Sequence, residues 1–329
     1  MKKNGVLLTG AAARISQEVA VLDLLISGGL EIKQDKTLLA GYSSGSLNLL
    51  ALNACFRDES PLCWNTFYKE NILFKLKDND VFELFPLTGK SILNTAPFRT
   101  FLGGILNDMN FNSYGDLPFQ SFVITSQYSG LSTYWADNRN PGNAQLSPVD
   151  LFMASTSIPV LLPAQQIGNT IPNAQRNFPD GEFVDGGTWG SFVNYNAQLE
   201  NYVKVNGPME ELHIVSPMRE TADDLNKTKT SLLKKFEALI SHLDHSKFQE
   251  SFHIGLDHFL DFVTGLNTLN ADNHIAENIY ISMPAMNENT GFLSFGKQQS
   301  TYEQVHDWLT GEGKAQMRVP IGEFIRLNS

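Results

Sequence analysis

Thr37-Leu38-Leu39-Ala40-Gly41-Tyr42-Ser43-Ser44-Gly45 is the stretch on which the reading of the fold turns. Its first four residues are a short apolar run, and from Ser44 to Phe56 the apolar positions Leu47, Leu50, Ala51 and Ala54 recur at helical spacing. Gly41 to Gly45 between them fits G-x-S-x-G at the place a nucleophile elbow requires, after a strand and at the start of a helix. Gly41 and Gly45 let the backbone turn sharply and let neighbouring elements approach. Ser43 Oγ is thereby exposed beside a helix N-terminus that favours negative charge. A plain Gly-Ser turn would share the letters, and the strand-turn-helix setting argues against it.

The same pattern opens the chain. Gly5-Val6-Leu7-Leu8 is a short buried strand, Thr9 to Ala13 a small-residue loop, and Ser16 to Ile26 a helix stopped by Gly28-Gly29. A cleaved signal peptide would need seven to fifteen apolar residues, roughly, where Thr9 and Gly10 interrupt after three. Further on, Gln120 to Ser126, Thr133 to Ala136, Glu211 to Ser216 and Asn278 to Met283 read as strands, and Val149 to Ala154 as a short helix behind Pro148. Residues 57 to 119, broken by Pro61, Pro86, Pro97 and Pro118, read as helices and loops. Strands alternating with helices predict an α/β fold with a mostly parallel sheet covered on both faces.

The chain has 329 residues, 24 Lys+Arg against 35 Asp+Glu and a net charge of -11. A nucleic-acid partner is disfavoured, because polyphosphate needs a dense basic footprint. No run of about 18 apolar residues predicts a spanning helix. With no cleaved leader expected either, a cytoplasmic or peripheral-membrane location is the expectation. Cys55 and Cys63 are too few for a disulfide framework or a four-Cys zinc site and read as small hydrophobes near a helix.

A serine hydroxyl is a weak nucleophile at neutral pH and needs a base. An ordinary α/β-hydrolase places chain ahead of its serine and orders Ser, Asp or Glu, then His. Here only one strand comes before the strand that leads into Ser43, which disfavours that arrangement. The economical partner is Asp185, which follows apolar Phe183-Val184 and precedes Gly186-Gly187, a pair that permits a sharp turn at a strand end.

With these residues the chain resembles the patatin-like phospholipases. That family has a Gly-rich loop followed by Arg after the first strand, an early G-x-S-x-G elbow and a downstream D-G-G or D-G-A motif. Thr9-Gly10-Ala11-Ala12-Ala13-Arg14, Gly41 to Gly45 and Asp185-Gly186-Gly187 stand in that order. Ala154-Ser155-Thr156-Ser157-Ile158-Pro159 and Asn194 are similar to two further landmarks, and the likeness spans about residues 5 to 220. The resemblance implies a three-layer α/β/α sandwich and a lipid acyl hydrolase of phospholipase A or lysophospholipase type, with a Ser43-Asp185 dyad and an acyl-enzyme. It further implies an oxyanion hole from the N–H groups of Gly10, Ala11 and Ala12, with Arg14 supporting the loop. No metal or cofactor is expected. Expected contacts are a phospholipid or other lipid ester, a transient membrane surface and an activator protein of unknown identity. Because Ser43 and Asp185 must meet, residues 1–329 read as one domain, with a catalytic core over 1–217 and a helical C-terminal supplement over 218–329 carrying a late strand.

One departure bears on activity. Thr9, Ala11 and Ala12 stand at glycine-like places of the family loop and Ile15 follows Arg14 where glycine is common, and alanine is penalised wherever the loop needs positive φ. A weak or inactive patatin-fold protein that binds lipid or a partner is therefore the rival expectation. Residues 226–243, with Leu232, Leu233, Phe236, Leu239, Ile240 and Leu243 opposite four lysines, form an amphipathic helix pattern that suits a packed surface helix better than a lipid-bound one. His242, His245, His253 and His258 with Asp244, Glu250 and Asp257 read as structural rather than as a metal site. Asp180-Gly181 reads as a loop and as the decoy for Asp185.

Overall fold

A computed structural model describes residues 4–84, 91–129, 132–159, 161–168, 178–187, 192–217, 256–284 and 293–329, with a few isolated residues between 227 and 234. Strand β1 (Asn4–Leu8) pairs in parallel with β2 (Thr37–Gly41), placing Val6 opposite Leu39 and Leu8 opposite Gly41. Helix α1 (Ile15–Ser27) connects them, and α2 (Ser44–Cys55) leaves β2 through the elbow. β3 (Glu83–Leu84) and β4 (Leu93–Asn94) form a separate antiparallel pair. β5 (Gln120–Gln127) adds in parallel to β2, and antiparallel β6 (Thr133–Asp137) pairs with β5. Beyond β5, β8 (Gly181–Asp185) runs antiparallel and carries β7 (Gln165–Ile167). On the other side β9 (Met209–Val215) joins β1, β10 (Ala276–Ser282) joins β9, and antiparallel β11 (Val319–Pro320) closes that edge.

Five central strands, β10-β9-β1-β2-β5, are thus parallel, and antiparallel pairing is confined to the flanks. Alternate residues of these strands enter two different cores, as a period of two dictates. Val6, Leu8, Leu39 and Val123 pack with α1, α2, α4 (Ala96–Asp108), α5 (Pro148–Ser155) and α8 (Gln298–Thr310). Leu7, Leu38, Ile124, Leu212 and Ile214 pack with α6 (Phe192–Asn206), α7 (Leu256–Asn273) and α9 (Ile321–Asn328). Burial on both faces explains why the strand segments read as continuous apolar runs.

The expected strands and the helix behind Pro148 occur within two residues of their sequence positions. The mixed region 57–119 contains a π-type turn over Trp64–Glu70, the one-turn helix α3 (Asp78–Val81) and α4. Chain beyond 217 does more than add helices: β10 and β11 extend the central sheet, and α8 packs on α1. Tyr302 of α8 donates to Asp23 Oδ2 at 2.5 Å, and Lys69 pairs with the same carboxylate. Gly181 opens β8 rather than lying in a loop, with Asp180 in the bend before it. The amphipathic pattern at 226–243 falls outside the described residues apart from isolated positions. His242, His245, His253, Asp244 and Glu250 also fall outside, whereas His258 lies in α7. Among the described residues no helix is long and apolar enough to cross a membrane, and no cluster of His, Cys, Asp or Glu could hold a metal ion.

Candidate active site

At the carboxyl end of β2 the chain makes the turn that the five residues from Gly41 to Gly45 anticipate. Ser43 has φ 52° and ψ -141°, a conformation that costs a non-glycine residue on the order of 1–3 kcal/mol. Surrounding hydrogen bonds hold it there. Ser43 N–H donates to Ser155 O at 2.9 Å, and its own carbonyl accepts from Ser46 N–H at 3.0 Å and Ser46 Oγ at 2.7 Å. Gly45 lies against β1 so closely that a Cβ would stand 2.5 Å from Leu8 O, and one on Gly41 would meet Gly45 O at 3.0 Å. The first turn of α2 is therefore pressed onto the sheet with Ser43 8% exposed at its head.

Asp185 ends β8, paired across to Thr125 of β5. Its N–H donates to Ser157 O at 2.9 Å, so the segment 155–157 offers one carbonyl to Ser43 and another, two residues on, to Asp185. Ser155 Oγ donates to Ile124 O at 2.7 Å and anchors that bridge to β5. The small residues of Ala154–Pro159 thus have a physical role: they are the strap that brings two strand ends together. Gly186 passes so near β5 that a Cβ would sit 2.4 Å from Ile124 O. Gly187 N–H donates to Asp185 Oδ1 at 2.8 Å, while Oδ2 has no hydrogen-bond partner of normal geometry among the described residues. Burial pushes the carboxyl up to about 7; the nearby Ser43 hydroxyl and the Gly187 N–H pull the other way and favour its ionised form.

The loop after β1 departs from the expected oxyanion arrangement. Gly10 N–H donates to Glu18 Oε1 at 3.1 Å, and Ala11 N–H donates to Ser44 Oγ at 2.9 Å. Each backbone nitrogen carries one proton, so those of Gly10 and Ala11 are engaged here, and among the described residues Ala12 N–H has no such acceptor. Ala12 has φ +51°, the left-handed region, as does Gly10 at +63°. For alanine that conformation costs roughly 1–2 kcal/mol. Ala11, at φ -162°, is in extended backbone that any residue adopts. Arg14 N–H donates to Ala11 O at 3.0 Å, which closes the turn through its backbone.

Two polar residues that the sequence reading did not single out hold this loop. Glu18, fully buried on α1, accepts from Gly10 and, at 2.6 Å, from Asn48 Nδ2 of α2. Gln298, at the start of α8, accepts Ser16 N–H at 3.2 Å and donates to Ala13 O at 2.8 Å. Glu18 left little mark in the sequence: it stands at the flank of Val19 to Ile26, a stretch that already carries the charged Asp23. Gln298, 285 residues from Ala13, left none.

Ala12, Ile15, Ser43, Leu47, Phe98 and Met153 are among the residues lining a cleft of about 610 Å³, including its part open to solvent. A second, apolar cavity of about 450 Å³ adjoins it and shares Ile15, Leu47, Leu76 and Phe98. Ser43 therefore opens onto a long apolar space. The side chain of Asn194 falls outside the described residues.

A search of curated proteins finds no match to this chain. Among solved structures, the crystal structure of VipD from Legionella pneumophila is similar at a TM-score of 0.34 and 11% identity, over 93% of this chain and 67% of that one, a likeness too remote to bear weight. A family model described as patatin-like phospholipase matches residues 6–198, a range that holds the loop, the elbow and Asp185. The chain belongs to the patatin-like phospholipase family.

Proposed function

We propose that this chain is a lipid acyl hydrolase that cleaves carboxylic esters of phospholipids or lysophospholipids through Ser43 and Asp185. The observation that carries this reading is the juxtaposition of a strained, cleft-facing Ser43 with a buried carboxylate whose Oδ2 has no hydrogen-bond partner of normal geometry among the described residues. Ser43 Oγ bonds to the ester carbonyl carbon as its proton passes to Asp185. Collapse of the tetrahedral intermediate breaks the bond to the alcohol, which leaves with that proton. Water then attacks the acyl-enzyme, gives a proton to Asp185 and releases the fatty acid, and Ser43 recovers its hydrogen. A base with its pKa near 7 is matched to this exchange at neutral pH.

The developing oxyanion is received by Ala12 N–H, aided by the positive end of α2. The apolar cleft and its adjoining cavity take the acyl chain, at about 0.8 kcal/mol for each methylene removed from water. Two cores drawn from alternate residues of the same strands support the finer reading of a three-layer α/β/α sandwich. The net charge of -11 gives no general attraction to an anionic bilayer, so membrane contact rests on local apolar surface or on an activator protein.

The test is a phosphonylating serine probe followed by a lipid panel read by mass spectrometry. One label on Ser43, and loss of both label and turnover in Ser43→Ala and Asp185→Asn, supports the proposal; unchanged labelling of Ser43→Ala sinks it. The strained Ala12 and the committed protons of Gly10 and Ala11 favour a second reading, a weakly active or silent lipid-binding member. Lipid binding without turnover across short esters, lysophospholipids and diacyl lipids would establish that reading.

A further inference from the structure

Glu18 stands at the end of a one-way chain of hydrogen-bond donors. The Tyr68 hydroxyl donates to Asn48 Oδ1, Asn48 Nδ2 donates to Glu18 Oε2 at 2.6 Å, and Gly10 N–H reaches Glu18 Oε1 at 3.1 Å. Asn48 also donates to Ile15 O at 3.3 Å, which fixes the orientation of its amide. Each of these partners brings a hydrogen, so both oxygens of Glu18 serve as acceptors when the carboxylate is ionised. Burial raises its pKa to about 7, Asn48 and the backbone at Gly10 and Thr9 pull the other way, and the Tyr42 and Tyr68 hydroxyls feel its charge.

We infer that Glu18 is a positioning residue for the hydrolase reaction proposed above: by holding Gly10, it keeps Ala12, which lines the Ser43 cleft, in its left-handed conformation. Ala12 is unfavourable at φ +51° and would relax toward ordinary backbone without an outside hold. A charge-assisted hydrogen bond to Gly10, two residues away, opposes that relaxation and is of comparable size. The family loop, with glycine in place of Ala12, would need no such hold. Glu18 thus compensates for the alanine at this place in the loop.

The experiment compares wild type, Glu18→Ala, Glu18→Gln, Ala12→Gly and the double variant Glu18→Ala with Ala12→Gly in the full chain. Its readouts are the rate of Ser43 labelling by the phosphonate probe, kcat and KM on a soluble short-chain ester, and the pH profile. Glu18→Ala lowers kcat and labelling about tenfold to a hundredfold with KM little changed, since an oxyanion donor is worth about a hundredfold or more when lost outright. Glu18→Gln keeps one acceptor for two donors and falls between. Ala12→Gly restores several-fold of the loss in the double variant, because glycine adopts positive φ freely. On the acid side the wild type loses rate with two protons, on Asp185 and Glu18, each held near 7, and Glu18→Gln with one.

A Glu18→Ala enzyme with unchanged kcat, or one whose loss Ala12→Gly leaves untouched, overturns the inference. If Glu18→Ala fails to fold, Glu18→Gln and the slope of the acid limb decide the matter in the same way. Failure of the dyad itself reads differently, as a wild-type Ser43 that neither labels nor turns over ester.

Discussion

The elbow at Gly41–Gly45 and the loop at Thr9–Arg14 lie side by side over the same cleft, yet they are held in opposite ways. The elbow keeps its glycines, and its strain at Ser43 is absorbed by neighbours along β1, α2 and the 155–157 strap. The loop has alanines in their place, carries its strain on Ala12, and is held by Glu18 from the next helix and Gln298 from the far end of the chain. A turn whose glycines suit its backbone is secured mainly by close main-chain contacts, here from Leu8, Ser46 and Ser155, even with a strained serine at its head. A turn whose residues do not suit it depends on buried polar side chains elsewhere.

Breaking the elbow has the largest effect. Gly45→Ala would drive a Cβ to 2.5 Å from Leu8 O, and we expect a loss of about 3 kcal/mol or more in a denaturant melt. Ala11→Gly in the loop, at extended φ, should change stability by less than about 1 kcal/mol. Equal losses at the two sites would erase the contrast.

The two buried carboxylates sharpen it through pH. Glu18 and Asp185 are both raised to about 7 from ordinary values near 4, so the folded chain binds more protons than the unfolded chain between those limits. Their contribution to stability is full at acid pH and is lost as pH rises through about 7, on the order of 3 kcal/mol for each. Under the proposed mechanism activity follows the ionised forms and runs the other way. Thermal melts should rise from pH 8 to pH 6 while ester turnover falls. Asp185→Asn should raise Tm at pH 8 more than Glu18→Gln, because an amide in place of the Glu18 carboxylate would leave one of two donors unmet. A melting temperature independent of pH in this window would show that neither group is held as described.

Gln298→Ala tests the distant tie. It leaves Ser16 N–H and Ala13 O without their partner, and we expect a loss of about 1–3 kcal/mol together with slower labelling of Ser43. Loss of stability with unaltered labelling would make Gln298 a simple helix anchor. Ala12→Gly alone should have a small effect: a gain of about 1 kcal/mol in stability and a rise in kcat of a few-fold at most, measured on the same short ester.

Much of this site was legible before any tertiary contact was known. The run from Thr37 to Gly45 announced strand, turn and helix because each segment's local preference agrees with its final state. Asp185 was legible because an apolar strand ending in Asp-Gly-Gly has few other uses. The Ala154–Pro159 stretch could be matched by resemblance, but that its carbonyls serve both Ser43 and Asp185 could not be read, since backbone acceptors leave no mark in side-chain identity. The contribution of β10 and β11 to the sheet was likewise only half visible, because a two-residue edge strand has no period to detect.

Sequence by itself determined the elbow, the order of its partners along the chain and the alternation that buries the sheet on both faces, because these depend on residues next to one another. Tertiary structure alone decided where the protons of the loop point. Gly10, Ala11 and Ala12 each carry one N–H, and those of Gly10 and Ala11 are engaged by Glu18 and Ser44, whose positions only the packed helices α1 and α2 fix.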